Sequence, residues 1–447
     1  MVKVITYGTY DMLHYGHLRL LERAKALGDY LIVGVTAEDF DKARGKINVK
    51  QSLMERIEAI RATGLANEII VEEYEGQKID DIKRYDIDIF TVGSDWEGKF
   101  DYLNDYCKVI YLGRTEGVSS SQIRSDSINF RLGIVGDEAF IKKYYNEAKL
   151  INGITISGIC TSNSKLMKSM GKTDFITDSY DELVGRSDVL CIVSHPSCHY
   201  EQIKSALNQG KHVLCESPIA MTIEQCHELF ELAKERGLVL MDSIKTAYST
   251  AYNRLLLLLK GGKIGRVVSV DVTCTSLKDY TTRERSRYSS MWSSICSWGP
   301  SAMLPIFQIL GCDPKNINIS SMPHPNDPSI DLFTKADFLY ENAVASFKVG
   351  KAVKSEGELI ISGTEGYVYV PAPWWIMDYF EIRYENAENN KRYFYQLDGE
   401  GIRYELVAFL KSIESKRRNS YIDEAVSENI SKVIQRVTNK DNVNIIV

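Results

Sequence analysis

Short apolar runs alternate with amphipathic stretches in the first quarter of the chain. The apolar positions of His17–Leu27 recur at helical spacing until Gly28 ends the predicted helix. Strands are predicted at Val2–Tyr7, Tyr30–Thr36, Glu68–Glu72, Ile87–Val92 and Cys107–Tyr111, and further helices at Leu53–Thr63 and Ile79–Tyr85. Such alternation is typical of a parallel sheet covered by helices on both faces.

The same pattern restarts near Ile128 and changes again after Tyr248. The second stretch predicts strands at Phe130–Val135, Ile154–Ile159, Val189–Ser194, His212–Cys215 and Val239–Met241, with a helix at Glu138–Ala148. The third stretch predicts a helix at Tyr252–Lys260, alternating strands such as Val267–Thr275 and Ala343–Val349, and a helical segment from Gly401. We therefore expect an α/β protein with two Rossmann-like doubly wound parallel-sheet domains (1–127 and 128–247) and a C-terminal α+β open-sheet domain (248–447).

Composition narrows the possible partners and the compartment. The 447 residues are 44% hydrophobic and carry a net charge of −6, which argues against broad attraction to nucleic acid or membranes. The nine cysteines show no CxxC spacing, which is typical of reduced thiols. The N-terminus lacks the pattern of a signal peptide, and the longest aliphatic run, Leu255–Leu259, is too short to cross a bilayer. We expect a cytoplasmic protein.

The segment GTYDMLHYGH, Gly8 to His17, follows the first predicted strand directly and contains two histidines three residues apart. Ligands of open α/β sheets bind beyond the carboxyl ends of the strands, and helix starts favour anions. Gly16 would let a phosphate approach the backbone, and two imidazoles could donate hydrogen bonds to phosphoryl oxygens. The alternative is two ordinary polar residues on a loop.

Two further segments, GSDWEGKFDYL at Gly93–Leu103 and RTEGVSSSQIR at Arg114–Arg124, occur in order after this one. With them, the first 125 or so residues resemble the cytidylyltransferase family, in particular its glycerol-3-phosphate members. The resemblance implies that a polyol phosphate attacks the α-phosphorus of CTP, with Mg²⁺ bridging the phosphates and pyrophosphate leaving. The product would be a CDP-polyol such as CDP-glycerol, which in that family supplies cell-wall or capsule polymers.

The resemblance also implies roles for particular residues. Catalytic roles fall on His14, His17, Lys46 and Arg114. Binding of nucleotide or substrate falls on Gly8, Thr9, Tyr10, Asp11, Gly16, Arg44, Arg56, Asp95, Trp96, Thr115, Glu116, Ser119, Ser120 and Ser121. Alternatives remain open: Lys46 as a solvated loop charge, Arg56 as a surface salt bridge, and one of the serines as a helix cap. No side chain is assigned to the metal, and a homodimer is expected.

The rest of the chain resembles the glucose–fructose oxidoreductase / inositol dehydrogenase family. The resemblance rests on the segments Ala206–Gly237, Leu255–Val270 and Leu359–Val370. Three departures argue against binding of NAD(P). The turn GDEAFI, Gly136–Ile141, keeps only the first glycine of the Rossmann fingerprint; Ser217 replaces the lysine of the Glu-Lys-Pro motif; and Ser297 and Ser301 stand where an Asp and a His are usual.

A rearranged site in this region is the alternative. Lys245, Asp242, Tyr248 and His199 are the available groups; the structural alternatives are an ion pair between Lys245 and Asp242, and His199 as the cap of the next helix. The segment HPSCH, His195–His199, lacks a standard zinc spacing.

Three hypotheses follow for the whole chain. In the first, a cytidylyltransferase is fused to a dehydrogenase-like domain without ordinary hydride transfer. In the second, the chain is bifunctional, and an NAD(P)-dependent reductase supplies the acceptor. In the third, the chain is a non-enzymatic sensor of CTP or a CDP-polyol.

Overall fold

The computed structural model describes residues 1–13, 15–37, 49, 51–73, 76–113, 129–137, 140–151, 153–163, 175–277, 293–395, 397, 399–415 and 420–446. The chain divides into two compact units, Met1–Asn129 and Phe130–Val447. Within the described ranges, no helix combines the length and apolar character that a membrane crossing requires.

The first unit is a parallel five-stranded sheet in the order β3-β2-β1-β4-β5. Its strands are β1 (Lys3–Gly8), β2 (Tyr30–Thr36), β3 (Glu68–Glu72), β4 (Ile89–Gly93) and β5 (Lys108–Leu112). Its described helices are α1 (Tyr15–Lys25), α2 (Leu53–Ala62) and α3 (Gln77–Tyr85). Val4 and Ile5 of β1 enter separate hydrophobic clusters, because successive strand residues point to opposite faces. Both faces of the central strand are therefore buried.

The second unit begins with a parallel sheet in the order β11-β10-β9-β6-β7-β8. The strands are β6 (Phe130–Val135), β7 (Ile154–Cys160), β8 (Ile176–Thr177), β9 (Val189–Ile192), β10 (His212–Glu216) and β11 (Leu240–Ser243). The described helices are α4 (Ile141–Ala148), α5 (Tyr180–Arg186), α6 (Pro196–Asn208) and α7 (Ile223–Glu235). One buried cluster joins β9, β10 and the helices α5, α6 and α7.

A mixed sheet completes the second unit. Its strands are β12 (Val267–Leu277), β13 (Asn316–His324), β14 (Asp327–Leu339), β15 (Val344–Gly350), β16 (Ala352–Val353), β17 (Leu359–Gly363), β18 (Tyr367–Val370), β19 (Tyr379–Arg383), β20 (Lys391–Phe394) and β21 (Val443–Ile445). The accompanying helices are α8 (Thr250–Lys260), α9 (Ser294–Leu310), α10 (Ile402–Ser415) and α11 (Glu424–Asn439). Helix α9 packs on β12, β14 and β15, and α11 packs on both α7 and α9.

The predicted fold class is confirmed: two parallel Rossmann-like sheets in tandem are followed by an open mixed sheet. β2 and β3 have the predicted bounds. Helix α1 begins at Tyr15, two residues before the predicted start, so His17 lies inside its first turn. Helix α4 begins at Ile141 rather than Glu138, which lies outside the described residues.

Candidate active site

The loop from Gly8 to Leu13 connects β1 to α1 at the centre of the first sheet. β1 lies between β2 and β4, so the order of strands reverses at this strand. Reversal opens a crevice beyond the carboxyl ends of the strands, where ligands of such sheets bind. The positive end of the α1 dipole lies at the same edge, which favours an anion there.

The backbone of this loop adopts a costly conformation at two residues. Tyr10 has φ 52° and Met12 has φ 49°, both in the left-handed region that non-glycine residues rarely occupy. Tyr10 is buried, and its ring covers Gly8 so closely that a Cβ at Gly8 would lie 2.9 Å from Tyr10 Cζ. The Tyr10 ring also meets the His17 ring edge-on, with centroids 5.5 Å apart. The packing of Tyr10 therefore requires glycine at position 8 and fixes one side of the His17 imidazole.

Arg56 and Asp11 brace the loop from inside the unit. Arg56 is completely buried; its Nη1 donates to the carbonyl oxygens of Thr9 at 2.7 Å and of Thr36 at 2.8 Å. Asp11 is also buried, and its Oδ1 accepts from the backbone N–H of Gln51 at 3.0 Å. The surface salt bridge considered for Arg56 is therefore wrong, because its guanidinium ties the end of β2 to the loop after β1.

A second loop reaches the same edge after β4. β4 pairs in parallel with β1, and the turn Ser94–Trp96 follows it directly. The Trp96 ring packs against Phe100, and Lys99 Nζ lies 5.2 Å from the Trp96 ring centroid. Trp96 therefore lies at the predicted edge, whereas the side chain of Asp95 is outside the described part of the chain.

The structure describes about half of the predicted site. Gly8, Thr9, Tyr10, Asp11, Gly16, His17, Arg56 and Trp96 come together around the carboxyl ends of β1 and β4 or brace that edge. The predictions for His14, Arg44, Lys46, Arg114, Thr115, Glu116, Ser119, Ser120 and Ser121 lie outside the described residues.

Sequence reasoning missed a buried charged network below this edge. Lys78 forms an ion pair with Glu72, whose Oε2 accepts from Thr36 Oγ1 at 2.9 Å. Beside this ion pair, the Tyr7 hydroxyl donates to Asp81 Oδ2 at 2.8 Å. Burial raises the pKa of Tyr7 far above its ordinary value, and the negative charge of Asp81 adds to this increase. In the sequence, the segment KIDD places Lys78 and Asp81 three residues apart on one face of a helix, and this spacing could have indicated the network.

In the second unit, protein groups occupy the turn after β6. The Asp137 carboxylate accepts from Ser162 N at 2.6 Å and Thr161 Oγ1 at 3.0 Å, and Asn163 Nδ2 donates to the Asp137 carbonyl at 2.9 Å. Ile141, at the position of the third fingerprint glycine, is completely buried. A carboxylate thus lies in the turn that would carry a pyrophosphate, and a core side chain replaces the glycine that allows close packing of the helix on the strand.

Two buried carboxyl groups lie near the carboxyl end of β11: Asp242 is a residue of β11, and Glu405 belongs to α10. Glu405 accepts from Tyr144 Oη at 2.6 Å and Ser243 Oγ at 2.8 Å, and burial raises the pKa of Glu405 to about 7. Asp242 Oδ2 accepts from Ser427 Oγ at 2.7 Å and Ser217 Oγ at 3.3 Å, and burial raises the pKa of Asp242 to about 6. Ser217 thus bonds a carboxyl group where the family motif has lysine.

The remaining candidates of the second unit have structural partners. Lys245 pairs with Glu400 at 2.9 Å, so the suggested pairing with Asp242 is wrong. His195, rather than His199, caps α6: its side chain accepts from Ser197 N. His199 is buried, with its ring nitrogens 2.7 Å from the Pro218 carbonyl oxygen and 2.9 Å from that of Ser194.

Tyr248 and the two serines of SWGPS complete this set. Tyr248 donates to the Asp242 carbonyl at 2.8 Å. Ser297 and Ser301 lie on α9, where the neighbouring Trp298 packs against Trp375 with ring centroids 4.7 Å apart. Ser297 and Ser301 thus supply neither the carboxylate nor the imidazole that the family usually has at these positions.

Comparison with known protein families gives one match in each of the two units. Residues 5–126 match the family model described as cytidylyltransferase-like, and residues 130–243 match the one described as oxidoreductase family, NAD-binding Rossmann fold. Through its first unit the chain belongs to the cytidylyltransferase family. The second unit is oxidoreductase-like.

Two relatives that match the first unit carry the name of one particular cytidylyltransferase. The chain is 52% identical over 126 residues to glycerol-3-phosphate cytidylyltransferase from Bacillus spizizenii, covering 28% of this chain and 97% of the relative. It is 48% identical over 129 residues to the enzyme of the same name from Staphylococcus aureus, covering 28% and 95%. Homology at this level supports nucleotidyltransferase activity.

The second unit has solved structural neighbours. KijD10, a 3-ketoreductase from Actinomadura kijaniata solved with NADP and TDP-benzene, superimposes with a TM-score of 0.62 at 16% identity, covering 71% of this chain and 99% of that chain. At that identity the likeness defines the fold of the second unit.

Proposed function

We propose that the first unit transfers CMP from CTP to a polyol phosphate, with glycerol 3-phosphate as the first candidate. The observation that carries this proposal is the braced Gly8–Leu13 loop at the strand-order reversal, within a unit 52% identical to a glycerol-3-phosphate cytidylyltransferase. A longer polyol phosphate or a phosphonate is the other kind of acceptor. The CDP-polyol would feed synthesis of a cell-wall or capsule polymer.

The reaction forms one bond and breaks one. A phosphate oxygen of the acceptor attacks the α-phosphorus of CTP, and the bond from that phosphorus to the bridging oxygen breaks, releasing pyrophosphate. Catalysis of such a displacement needs alignment and neutralisation of charge. The His17 imidazole, held by Tyr10, and the α1 dipole would stabilise the phosphoryl oxygens. His14, Lys46 and Arg114 are proposed to share this role, and Arg44, Thr115, Glu116 and Ser119–Ser121 to bind the nucleotide.

Magnesium fits this site as an ion that enters with the nucleotide. Among the described residues no group of three or more His, Cys, Asp or Glu side chains is arranged to hold a metal. Mg²⁺ commonly binds substrate phosphates and water with only one or two carboxylates, so the buried Asp11 is the described candidate ligand. The ion would neutralise the triphosphate and the leaving pyrophosphate.

The experiment is pyrophosphate release from CTP and Mg²⁺ with a panel of polyol phosphates, using the full-length chain. His14→Ala and His17→Ala should each lower the rate at least about a hundredfold. His227→Ala is the matched control, because His227 is exposed and pairs with Glu428 in the second unit. Turnover that survives both first-unit variants would contradict the proposal.

We further propose that the second unit does not bind NAD(P) and acts as a scaffold or docking domain. The Asp137 carboxylate in the β6 turn, the buried Ile141 and the Ser217–Asp242 contact support this. An anionic side chain and a missing fingerprint glycine both oppose a pyrophosphate. Titration of the full-length protein with NADPH, followed by nicotinamide fluorescence, tests it: saturable binding would revive the bifunctional hypothesis.

We also propose boundaries for the domains, an oligomeric state and a cellular compartment. The proposed limits are 1–127, 128–247 and 248–447; the end of the parallel sheet at Ser243 and the start of the mixed sheet at Val267 support the second of these boundaries. A cytoplasmic compartment is supported by the nine free thiols, and a homodimer without nucleic-acid or membrane partners is proposed with it. Light scattering at several concentrations measures the assembly.

A further inference from the structure

The start of α2 contacts the loop after β1 at three points, two of them made by Gln51, a residue that sequence reasoning missed. Gln51, the residue before the N-cap of α2, accepts from the Met12 backbone N–H through its Oε1 at 2.7 Å. Its own backbone N–H donates to Asp11 Oδ1 at 3.0 Å, and Arg56 donates to the Thr9 carbonyl oxygen. Gln51 and Arg56 are joined, because Arg56 Nε donates to the Gln51 carbonyl oxygen at 3.2 Å.

The start of α2 can act as a template for the loop, because its own side chains close it. A capping box closes it: Ser52 Oγ accepts from Glu55 N at 3.3 Å, and Glu55 Oε2 accepts from Ser52 N at 2.7 Å. A capping box satisfies two helix-start donors reciprocally and so stabilises the first turn of the helix. Gln51 directly precedes this closed helix start, so α2 helps to fix its position independently of the bonds that Gln51 makes to the loop.

The loop needs such a template because its conformation is intrinsically unfavourable. Met12, with φ 49°, donates its backbone N–H to Gln51 Oε1, and it lies only three residues before α1 begins at Tyr15. Left-handed backbone at a non-glycine residue persists only where the surroundings enforce it. Loss of the bond at Met12 would let the chain enter α1 at a different angle and move the first-turn His17.

We propose that Gln51 is a positioning residue for nucleotidyl transfer, acting by holding Met12 in its left-handed conformation. The inference rests on the transferase function proposed above, since it names a residue that tunes that same site. Gln51 is not proposed to contact the nucleotide. It would affect the rate through the loop, which positions the groups that contact the nucleotide. Misplacement of reacting groups by about 1 Å can cost about a hundredfold in rate.

The first test does not depend on turnover. Hydrogen exchange of the peptide covering residues 9–13 is compared in full-length wild type and Gln51→Leu. We expect the Met12 amide to exchange about tenfold faster in the variant, as loss of one hydrogen bond implies. Asn67→Leu is the matched control, because Asn67 Oδ1 accepts from Leu31 N at 2.9 Å, near the start of β2. Unchanged exchange at Met12 would overturn the inference, even if the chain proved not to be a transferase.

The second test separates positioning from general stability through kcat and KM. Gln51→Leu should lower kcat for pyrophosphate release about tenfold or more with little change in KM for CTP. Gln51→Glu keeps an acceptor for the Met12 N–H, so kcat should stay within about threefold while the added charge raises KM for CTP. Asn67→Leu should leave both constants within about twofold. Equal kcat in wild type and Gln51→Leu, or equal losses in Gln51→Leu and Asn67→Leu, would overturn the inference.

Discussion

The buried Glu405 carboxyl makes the stability of the second unit depend on pH. Glu405 is completely buried within a ring of hydrogen bonds: it accepts from Tyr144 and Ser243, whose hydroxyl oxygens lie 2.7 Å apart. Burial raises its pKa from 4.5 to about 7, because the carboxylate form loses its hydration. Replacing Glu405 by Gln removes the titration and keeps a polar group of the same size.

The sign and magnitude follow from proton linkage. Between the unfolded pKa near 4.5 and the folded value of about 7, the folded state binds the proton and the unfolded state does not. The stabilisation is complete below pH 4.5 and is lost as pH rises through 7, which amounts to about 3 kcal/mol in the free energy of unfolding. Asp242, with its pKa raised from 3.8 to about 6, contributes in the same direction at lower pH.

Urea unfolding measured at pH 5 and pH 8 tests this account. Trp298, Trp374 and Trp375 report on the second unit through their fluorescence. Wild type should lose about 2 kcal/mol more between these two pH values than Glu405→Gln. Glu388→Gln, at an exposed glutamate, should behave like wild type. An equal loss in wild type and Glu405→Gln would refute the assignment of a raised pKa to Glu405.

Three further predictions concern the loop and the turn. Arg56→Met should lower the free energy of unfolding of the first unit by roughly 3 kcal/mol, because two carbonyls lose a charged donor; chemical denaturation measures it, and a change below about 1 kcal/mol would contradict it. Gly8→Ala should abolish most pyrophosphate release, because its Cβ would meet the Tyr10 ring at 2.9 Å, whereas Gly185→Ala meets nothing within 4 Å and should leave the rate unchanged. Asp137→Gly should still show no saturable NADPH fluorescence, because the buried Ile141 still replaces the glycine that allows the helix to pack closely on the strand; saturation would contradict this.

Local patterns predicted the elements well where burial alone defines them. β2, Tyr30–Thr36, is a continuous apolar run in the centre of a parallel sheet, so its bounds follow directly from the sequence. α1 begins earlier than predicted, because Tyr15 and Gly16 carry no periodic apolar signal that marks the start of the helix.

Long-range contacts decided what local patterns left open. The Tyr144–Glu405 bond joins residues 261 positions apart, and nothing near Glu405 in sequence marks it as buried. Arg56 was predicted to bind nucleotide or substrate, with a surface salt bridge as the alternative, yet its buried guanidinium binds carbonyls of the loop after β1 and of the end of β2. The left-handed backbone of Tyr10 and Met12 is likewise enforced by α2 and by packing, which no propensity predicts.

The central claim is that the first unit joins CMP to a polyol phosphate. The most direct measurement is product analysis of the full-length chain incubated with CTP, Mg²⁺ and glycerol 3-phosphate. We predict CDP-glycerol and pyrophosphate in equal amounts, with both absent when the acceptor is omitted or His17 is replaced by Ala. Binding of CTP without any nucleotidyl product, across glycerol 3-phosphate and longer polyol phosphates, would contradict the account and favour a sensor.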